Sequence, residues 1–394
     1  MDPVTQGVLG ASIACAVSNK NNVKVAAICG LVGGLVPDLD ILIKSEQDSL
    51  LSVEYHRHFT HSLFFVPIIS LLAAVSLFPF IKKYTNFKHI YVYSFLGVLS
   101  HGLLDACTSY GTSLLWPLSN TRISWNIISI IDPIFTFTII IFFLMCFIKK
   151  SIKVVRIGLG LSFSYLILCI FQYQQVKSFV FDNSKNRGHE IERILLNPTI
   201  GNNILWRTVY QFNGNYYIDA VYKPIFSKSR LINGNKINVI NKETIYPELG
   251  EDSILRQDIR RFSYFSQDYI FLHPDIDNVI ADLRYGKLPY DYNSLWGIKV
   301  DPKNKNQHAK FISLRNFKNQ DYEDFWNLLK GKISNQNKDI SNVKTFSGPM
   351  GMGLAKSYLQ NGRKICLYNT INGQDKLIYN DINTKCPKNF EKID

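Results

Sequence analysis

Six apolar segments in the first 176 residues restrict the folds open to this chain. They lie at about 4–17, 23–43, 63–81, 90–106, 127–148 and 154–176. Several approach the ~20 residues that a helix needs to cross a bilayer, whereas the first and fourth are short enough to be partly re-entrant. The sequence therefore predicts an α-helical polytopic membrane domain of about six helices over residues 1–176.

The composition becomes polar after residue 176. Stretches at 205–210, 216–222, 269–272 and 295–300 predict short strands, and Asn-Gly-Asn at 213–215 predicts a hairpin turn between the first two. The pattern at 321–333 predicts an amphipathic helix, and the polar, then Gly-rich, stretch 335–353 predicts a loop. Residues 177–394 are therefore expected to form a soluble α+β domain with its own core.

Basic residues are unevenly distributed among the connections. Those at 19–24, 82–89 and 149–156 carry nine Lys and Arg, and the alternate connections carry only Lys44, Arg57 and Arg122. Because cytoplasmic loops are enriched in these residues, the pattern predicts that the nine basic residues face the cytoplasm. The N-terminus, residues 44–62, residues 107–126 and everything after 176 would then face outward.

The positive charge of the chain does not indicate a nucleic-acid partner. The net charge is +13, and most of it lies in residues 177–394, with 32 basic residues against 23 acidic ones. The basic residues are scattered and form no run of five or six. We therefore expect membrane lipids, and no nucleic acid, as partners. Cys366 and Cys386 could form a disulfide if this part of the chain faces an oxidising compartment.

The ionisable side chains of the apolar part fall at segment ends on the predicted outer side. His101 and Asp105 are four residues apart near the end of the fourth segment, so one helix face would present both. Ionisable groups in a membrane are costly and are usually kept for function. The others are Asp38 and Asp40 after the second segment, His56, His58 and His61 before the third, and Asp132 at the start of the fifth. Their convergence predicts a site for one or two divalent ions.

Each motif alone has a simpler explanation. Asp38 and Asp40 could end a helix in solvent, and the three histidines could belong to an interfacial loop. Asp132 either caps a helix start or orients a ligand histidine. Arg57 either holds a phosphate or contacts lipid headgroups. Hydrolysis by metal-activated water is the default chemistry, since no GxSxG, P-loop, Rossmann or HExxH pattern competes with it.

Five motifs stand together in the first part of the chain: MDPVTQGVLGA, PDLD, HRxxTHS, HxLLDxxTSYGT with LLWP, and IDP. Together they resemble the membrane-bound metal-dependent hydrolase family of the YdjM type, LexA-regulated bacterial inner-membrane proteins. That family is in turn distantly similar to the zinc-dependent phospholipase C and P1-nuclease group. Further on, Trp206-Arg207 and Asp282-Leu283-Arg284-Tyr285-Gly286 resemble the soluble region of longer members.

The resemblance implies the residues of the site. The implied metal ligands are Asp38, Asp40, His56, His61, His101 and Asp105, and the implied catalytic or supporting residues are Asp105, Arg57 and Asp132. The implied cofactor is a divalent metal, zinc first and manganese second. Gln6 stands where many members have histidine, and His58 stands where glycine is common. Trp206, Arg207, Asp282 and Arg284 either shape substrate access or are core and salt-bridge residues.

The expected function is cleavage of a phosphoester or lipid-linked substrate at the outer face of the bacterial inner membrane. A metal-activated water would attack, and Arg57 or the metals would stabilise the charge that develops. Two alternatives remain open. One is a transporter or ion-handling protein that uses the same ligands, and the other is a catalytically silent scaffold whose metal holds the helices together.

Overall fold

The computed structural model describes residues 1–332, 353–360, 363–370 and 373–379, together with residues 384, 386 and 387. These residues form two compact units, Met1–Lys330 and Gly331–Asp394. The candidate site lies within the first unit.

Seven α-helices occupy residues 1–186, all of which the structure describes. They are α1 (Pro3–Val17), α2 (Val23–Leu35), α3 (Leu51–Tyr55), α4 (Val66–Ile81), α5 (Phe87–Ala106), α6 (Pro133–Ile148) and α7 (Ile152–Asn186). The side chains of Asp2, Asn86 and Asp132 cap α1, α5 and α6 by accepting hydrogen bonds from first-turn N–H groups. The predicted domain boundary after residue 176 lies inside α7.

The number of membrane-spanning helices is smaller than expected. Two described helices are long and apolar enough to cross a membrane: Val23–Leu42, which includes α2 and the 3₁₀ turn after it, and Ile152–Asn186. A third span results if Leu51–His61 and Val66–Ile81, which are bent by 89°, count as one. Since α1 and α6 have only 15 and 16 residues, they fall short of the required ~20. Two or three spans, not about six, are therefore supported by the described residues.

Glycines allow α2 to approach α1 and α5 at backbone distance. A Cβ on Gly33 would lie 2.3 Å from the carbonyl oxygen of Ser94, and a Cβ on Gly10 would lie 2.3 Å from that of Gly30. Small residues at such contacts let helix backbones pack directly, as in other membrane helix pairs. The close approach brings the end of α2 beside the last turns of α5.

Two antiparallel sheets build the rest of the first unit. The first sheet contains β1 (Arg193–Pro198), β2 (Leu205–Phe212), β3 (Asn215–Tyr222), β4 (Arg230–Ile232) and β5 (Lys236–Asn238), and β4 and β5 both pair with β3. The second contains β6 (Ile270–Leu272), β7 (Val279–Asp282), β8 (Trp296–Lys299) and β9 (Lys310–Ser313), in that order. Helices α8 (Ile254–Phe265) and α9 (Asn319–Leu329) accompany them.

The predicted strands, hairpin and amphipathic helix are confirmed. In the hairpin, Asn213 and Gly214 both have positive φ, +46° and +70°, which is the backbone that a two-residue turn between β2 and β3 requires. Helix α9 covers most of the stretch predicted at 321–333. The sequence therefore located the sheet-rich region and these elements, but it did not predict α8 or the strands β1, β4, β5, β7 and β9.

The second unit contains a three-stranded antiparallel sheet. Its strands are β10 (Gly353–Gln360), β11 (Arg363–Thr370) and β12 (Gly373–Tyr379). Cys366 in β11 forms a disulfide with Cys386. Except for residue 353, the predicted loop at 335–353 lies outside the described residues.

The sheet-rich region contacts the two connections that were predicted to face outward. Ser49 donates from Oγ to the carbonyl oxygen of Ala309 over 3.0 Å, and Arg284 donates from Nη1 to that of Tyr110 over 3.0 Å. Gln267 donates to the carbonyl oxygen of Arg122 over 2.8 Å. Residues 44–62 and residues 107–126 therefore both contact the region around β6–β9.

Candidate metal centre

Four side chains from three separate parts of the chain meet at one point. Asp38 lies on the 3₁₀ turn Val36–Leu42, His61 ends the short 3₁₀ turn Phe59–His61, and His101 and Asp105 lie on one face of α5. One potential ligand atom of each lies within 4.8 Å of the other three. The sequence predicted all four of these residues as metal ligands, and the structure brings them together.

Most of the distances among the four atoms are close to those of a tetrahedral site. The two Nε2 atoms of His61 and His101 are 2.9 Å apart. Asp38 Oδ1 lies 3.5 and 3.4 Å from these nitrogens, and Asp105 Oδ2 lies 3.3 and 3.6 Å from them. Ligands at about 2.0–2.1 Å from a tetrahedral ion are about 3.3–3.4 Å from one another. Two imidazoles and two carboxylates are also a donor set that suits zinc.

The backbone of α2 orients His101. Its Nδ1 lies 2.7 Å from the carbonyl oxygen of Gly34, which can only accept, so Nδ1 carries the proton. Nε2 then has a free lone pair and faces the meeting point of the four side chains. Position 34 requires glycine, because a Cβ there would lie 2.5 Å from the carbonyl oxygen of Gln6.

Asp40 orients the second histidine. Its Oδ2 lies 3.3 Å from Nδ1 of His61 and accepts hydrogen bonds from the backbone N–H of Arg57 over 2.9 Å and from the hydroxyl of Thr60 over 2.8 Å. That hydroxyl oxygen is in turn 2.9 Å from Nδ1 of His61, so Thr60 links the ring to Asp40. Its other oxygen lies 2.8 Å from Nδ1 of His56. A carboxylate that holds the far nitrogen of a ligand histidine fixes the ring and its tautomer. Asp40 therefore lies in the layer behind the four converging atoms.

Asp105 has one oxygen held by the protein and one that faces the centre. Oδ1 accepts from the amide of Gln6 over 2.8 Å and from the amino group of Met1. Oδ2 is buried and accepts no hydrogen bond from the described residues; Nε of Arg57 lies 3.0 Å away as an ion pair, so lone pairs of this oxygen remain for a second cation. The fit of the donor set to a divalent ion therefore does not rest on spacing alone.

Arg57 forms an ion pair with one of the four converging atoms. Its Nε lies 3.0 Å from Asp105 Oδ2, and its Nη1 donates to the hydroxyl of Thr108 over 2.9 Å. Its φ of +61° is disfavoured for a residue with a side chain, and the hydrogen bond of its backbone N–H to Asp40 helps to hold it there. The predicted placement of Arg57 at the site agrees with this geometry.

The centre opens to solvent on one side. The side chain of Asp38 is 21% exposed, whereas those of His61, His101 and Asp105 are fully buried. His56, whose side chain is 24% exposed, lies at the same opening and forms a second group of potential ligands with Asp38 and Asp40. Solvent therefore reaches the centre beside Asp38 and His56.

Asp132 is not among the residues that meet at the centre. Its carboxylate caps α6 by accepting from the backbone N–H of Phe135 over 3.0 Å, and it accepts from the hydroxyl of Tyr165 over 2.9 Å. This placement corresponds to the helix-cap alternative. None of the three groups of potential metal ligands among the described residues includes Asp132.

The family-like residues of the sheet region form internal contacts. Asp282 and Arg284 are a fully buried ion pair with a 2.8 Å separation. The guanidinium of Arg207 donates to the carbonyl oxygens of Leu283, Leu288, Pro289 and Asp291. Trp206 is fully buried. These contacts correspond to the core and salt-bridge alternative for these residues.

Sequence reasoning missed a third group of potential ligands, formed by Asp48, Asp258 and His308. Arg261 lies among them and pairs with Asp48 and Asp258 at 2.8 Å, and with Glu54 at 2.7 Å. Burial alone would raise the pKa of Asp48, but the hydrogen bond from Arg261 lowers it. Since a guanidinium already neutralises the acids, this group is an ion-paired contact between residues 44–55 and α8.

Comparison with known proteins bears on the part of the chain that builds the centre. Residues 1–176 match the family model described as YdjM inner membrane protein. This range contains all four converging side chains together with Asp40, His56 and Arg57. It includes one of the two helices long enough to span a membrane and most of the other.

Two curated relatives are similar to part of the chain. The uncharacterized protein YfhP of Bacillus subtilis (strain 168) is 26% identical over 178 residues, which cover 44% of this chain and 52% of the relative. The inner membrane protein YbcI of Escherichia coli (strain K12) is 34% identical over 108 residues, which cover 26% of this chain and 60% of the relative. The chain thus spans little more than half the length of these relatives. No solved structure matches the chain significantly.

Proposed function

We propose that this protein is a membrane-bound metal-dependent hydrolase that cleaves a phosphoester or lipid-linked substrate at the outer face of the inner membrane. The observation that supports the proposal best is the near-tetrahedral arrangement of His61 Nε2, His101 Nε2, Asp38 Oδ1 and Asp105 Oδ2. Zinc fits this donor set, and manganese is the second choice. When bound, such an ion lowers the pKa of a water molecule and polarises a phosphoryl or acyl oxygen.

The protein's own residues would position the reacting groups. Asp40 and the carbonyl oxygen of Gly34 hold the two imidazoles with their lone pairs toward the centre. Arg57 places a buried positive charge 3.0 Å from Asp105, where it can bind a substrate phosphoryl oxygen and stabilise its developing charge. The partly exposed Asp38 and His56 leave the entrance for that group.

The outward placement of the site is part of the proposal. The sheets contact residues 44–62 and 107–126, the two connections poor in basic residues. The disulfide between Cys366 and Cys386 fits an oxidising compartment. Several membrane passes would then carry a C-terminal region on the extracytoplasmic side.

The activity is tested on purified full-length protein in detergent, loaded with zinc or manganese. Bis-p-nitrophenyl phosphate, p-nitrophenyl phosphate and phosphatidic acid are offered as substrates, for the wild type and for His61→Ala. A matched control is His308→Ala, which removes a histidine from the ion-paired group at Asp48 and Asp258. We expect turnover in the wild type and the control, and its loss in His61→Ala. Absence of turnover in a metal-loaded, folded wild type on all three substrates would contradict the proposal.

A second candidate is an ion-handling protein, which one observation favours. The helical pair Leu51–His61 and Val66–Ile81 is bent by 89°, and His61 lies at the bend. Helices broken at a bound ion are typical of transporters. Proteoliposomes loaded with a zinc-sensitive dye distinguish the two candidates: zinc uptake that is lost in His61→Ala, without ester cleavage, would favour ion handling.

A further inference from the structure

A cavity of about 290 Å³ lies beside the candidate metal centre, between residues 50–54 and α8. Leu50 and Val53 line one side, and Phe262 and Phe265 line the other. These four residues belong to one hydrophobic cluster. The walls therefore suit an apolar chain. The polar groups that line the cavity determine which head group on such a chain would bind.

Two of the three arginines that line the cavity are already neutralised. Arg261 pairs with Asp48, Glu54 and Asp258, and Arg260 pairs with Glu243 at 2.6 Å. Glu54, which also lines the cavity, is a partner of Arg261. The charges of these groups therefore cancel within the protein.

Arg122, the third lining arginine, has no carboxylate partner among the described residues. It is only 4% exposed. Its Nη2 donates to the carbonyl oxygens of Gly111 over 2.8 Å and His56 over 3.2 Å, but its Nε and Nη1 have no hydrogen-bond partner. The rings of Tyr110 and Phe265 flank the guanidinium at 5.8 and 5.6 Å. Burial lowers the pKa of Arg122 to about 10, so the group keeps its charge at neutral pH.

Arg207 shows that this fold can satisfy a buried guanidinium without a carboxylate. Arg207 is also 4% exposed, yet its Nε, Nη1 and Nη2 all donate to backbone carbonyl oxygens. Leaving a buried donor unpaired costs free energy, and more so for a charged group. The Nε and Nη1 groups of Arg122, buried without a partner, are thus an exception, and an anionic ligand in the cavity would pair with them once the guanidinium turns toward it.

Arg122 lies close to the candidate metal centre. Arg57, which is 3.0 Å from Asp105, lies over the ring of Tyr110 at 4.8 Å, and Arg122 lies over the same ring at 5.8 Å. Arg122 also donates to the backbone of His56, at the entrance of the centre. A molecule held by Arg122 would therefore lie near the groups that are proposed to react.

We propose that Arg122 and the cavity form a binding subsite for an anionic amphiphile, with a phosphate on the guanidinium and an apolar chain against Leu50, Val53, Phe262 and Phe265. The unpaired guanidinium supplies charge complementarity for the phosphate, and the apolar walls supply the preference for a chain over a free anion. The inference rests on the proposed function only in one respect, namely that the bound amphiphile is the substrate of the proposed hydrolase. Binding itself needs no turnover.

Binding is measured by titration calorimetry on the full-length protein in detergent, with metal and again after chelation. The probes are dioctanoyl phosphatidic acid, dibutanoyl phosphatidic acid, inorganic phosphate and uncharged dioctanoylglycerol. We expect the dioctanoyl phosphatidic acid to bind most tightly in both metal states. Arg122→Gln should weaken its affinity at least about tenfold, the value of one charge-assisted contact.

Control variants separate this subsite from general effects. Arg256→Gln removes a different buried arginine, which lies in α8 and donates to the carbonyl oxygens of Lys242, Tyr246 and Leu249. This change should leave the affinity for dioctanoyl phosphatidic acid unchanged. If Arg122→Gln does not fold, as judged by thermal unfolding, Arg122→Lys is used and should weaken binding severalfold. The inference would be overturned if the protein bound phosphate or the uncharged lipid as tightly as dioctanoyl phosphatidic acid. It would also be overturned if the Arg122 and Arg256 variants bound dioctanoyl phosphatidic acid with equal affinity.

The two proposals fail in different ways. Arg122-dependent binding without any ester cleavage would leave the subsite intact and contradict the hydrolase proposal. Ester cleavage whose KM and lipid affinity do not change in Arg122→Gln would contradict the subsite and leave the hydrolase proposal intact.

Discussion

His61 and His101 face each other with their Nε2 atoms 2.9 Å apart, and each ring is held at its opposite nitrogen by a group of the protein. A carbonyl oxygen holds His101, and the hydroxyl of Thr60 holds His61 together with the carboxylate of Asp40, to which that hydroxyl donates. Two imidazoles oriented in this way, with two carboxylate oxygens at 3.3–3.6 Å, form a candidate cation site. The predictions below test this arrangement and the helix packing that produces it.

Asp40 is expected to affect metal affinity although it is not one of the four converging ligands. Asp40→Ala removes the acceptor behind His61 and should lower zinc affinity about 10- to 100-fold. Asp38→Ala removes one of the four converging oxygens and should lower it further. Competition with a fluorescent zinc chelator measures both, and an equal loss in the two variants would contradict this ranking.

Bound metal is expected to stabilise the fold. An ion that binds only the native state adds about 2.7 kcal/mol at a free concentration of 100 Kd. Thermal unfolding of the wild type should therefore shift upward when zinc is added and return after chelation. His101→Ala should show no shift, whereas His308→Ala should behave as the wild type does.

Arg57 is expected to act on turnover more than on metal content. Its guanidinium contacts Asp105 and Thr108 but supplies no lone pair to an ion. Arg57→Gln should retain metal while kcat falls on the order of 10²- to 10³-fold, as for the loss of a charge-stabilising group. Elemental analysis and steady-state kinetics on the same preparation check this. Loss of metal together with activity would assign Arg57 a structural role instead.

The contact between α2 and α5 is expected to hold Asp38 in place. Gly33→Ala would put a Cβ 2.3 Å from the carbonyl oxygen of Ser94, so the helices must separate. Overpacking of this kind costs about 1–3 kcal/mol, and zinc affinity should fall as Asp38 moves away. Gly160→Ala is the matched control, because a Cβ there meets nothing within 4 Å. Equal effects of the two changes on thermal unfolding would contradict the proposed role of Gly33.

Local spacing and the position of polar groups predicted that these side chains converge, and the family resemblance implied which six of them are ligands. His101 and Asp105 share a helix face because they are four residues apart, and the structure bears this out. The sequence could not separate Asp38 from Asp40. Both lie on one 3₁₀ turn, and only the tertiary contacts direct Asp40 to Arg57, Thr60 and His56.

Composition overestimated the number of spans, because apolar length does not reveal where a helix ends or bends. The apolar run at 127–148 contains a loop before α6 begins at Pro133, and the run that leads into α4 is bent by 89° from the preceding helical segment. From the sequence, Arg122 was only one of the three basic residues in the connections predicted to face outward. Its role depends on which of its donors have partners, and a single sequence does not carry that information.

The most direct test is elemental analysis of detergent-purified protein for the wild type and a folded His101→Ala, Asp105→Ala double variant. If His61, His101, Asp38 and Asp105 hold an ion, the wild type will carry near-stoichiometric zinc or manganese and the double variant will carry none. If both proteins remain metal-free after incubation with either ion, the four side chains are a polar contact between helices. That result would contradict the metal centre and the hydrolase proposal built on it.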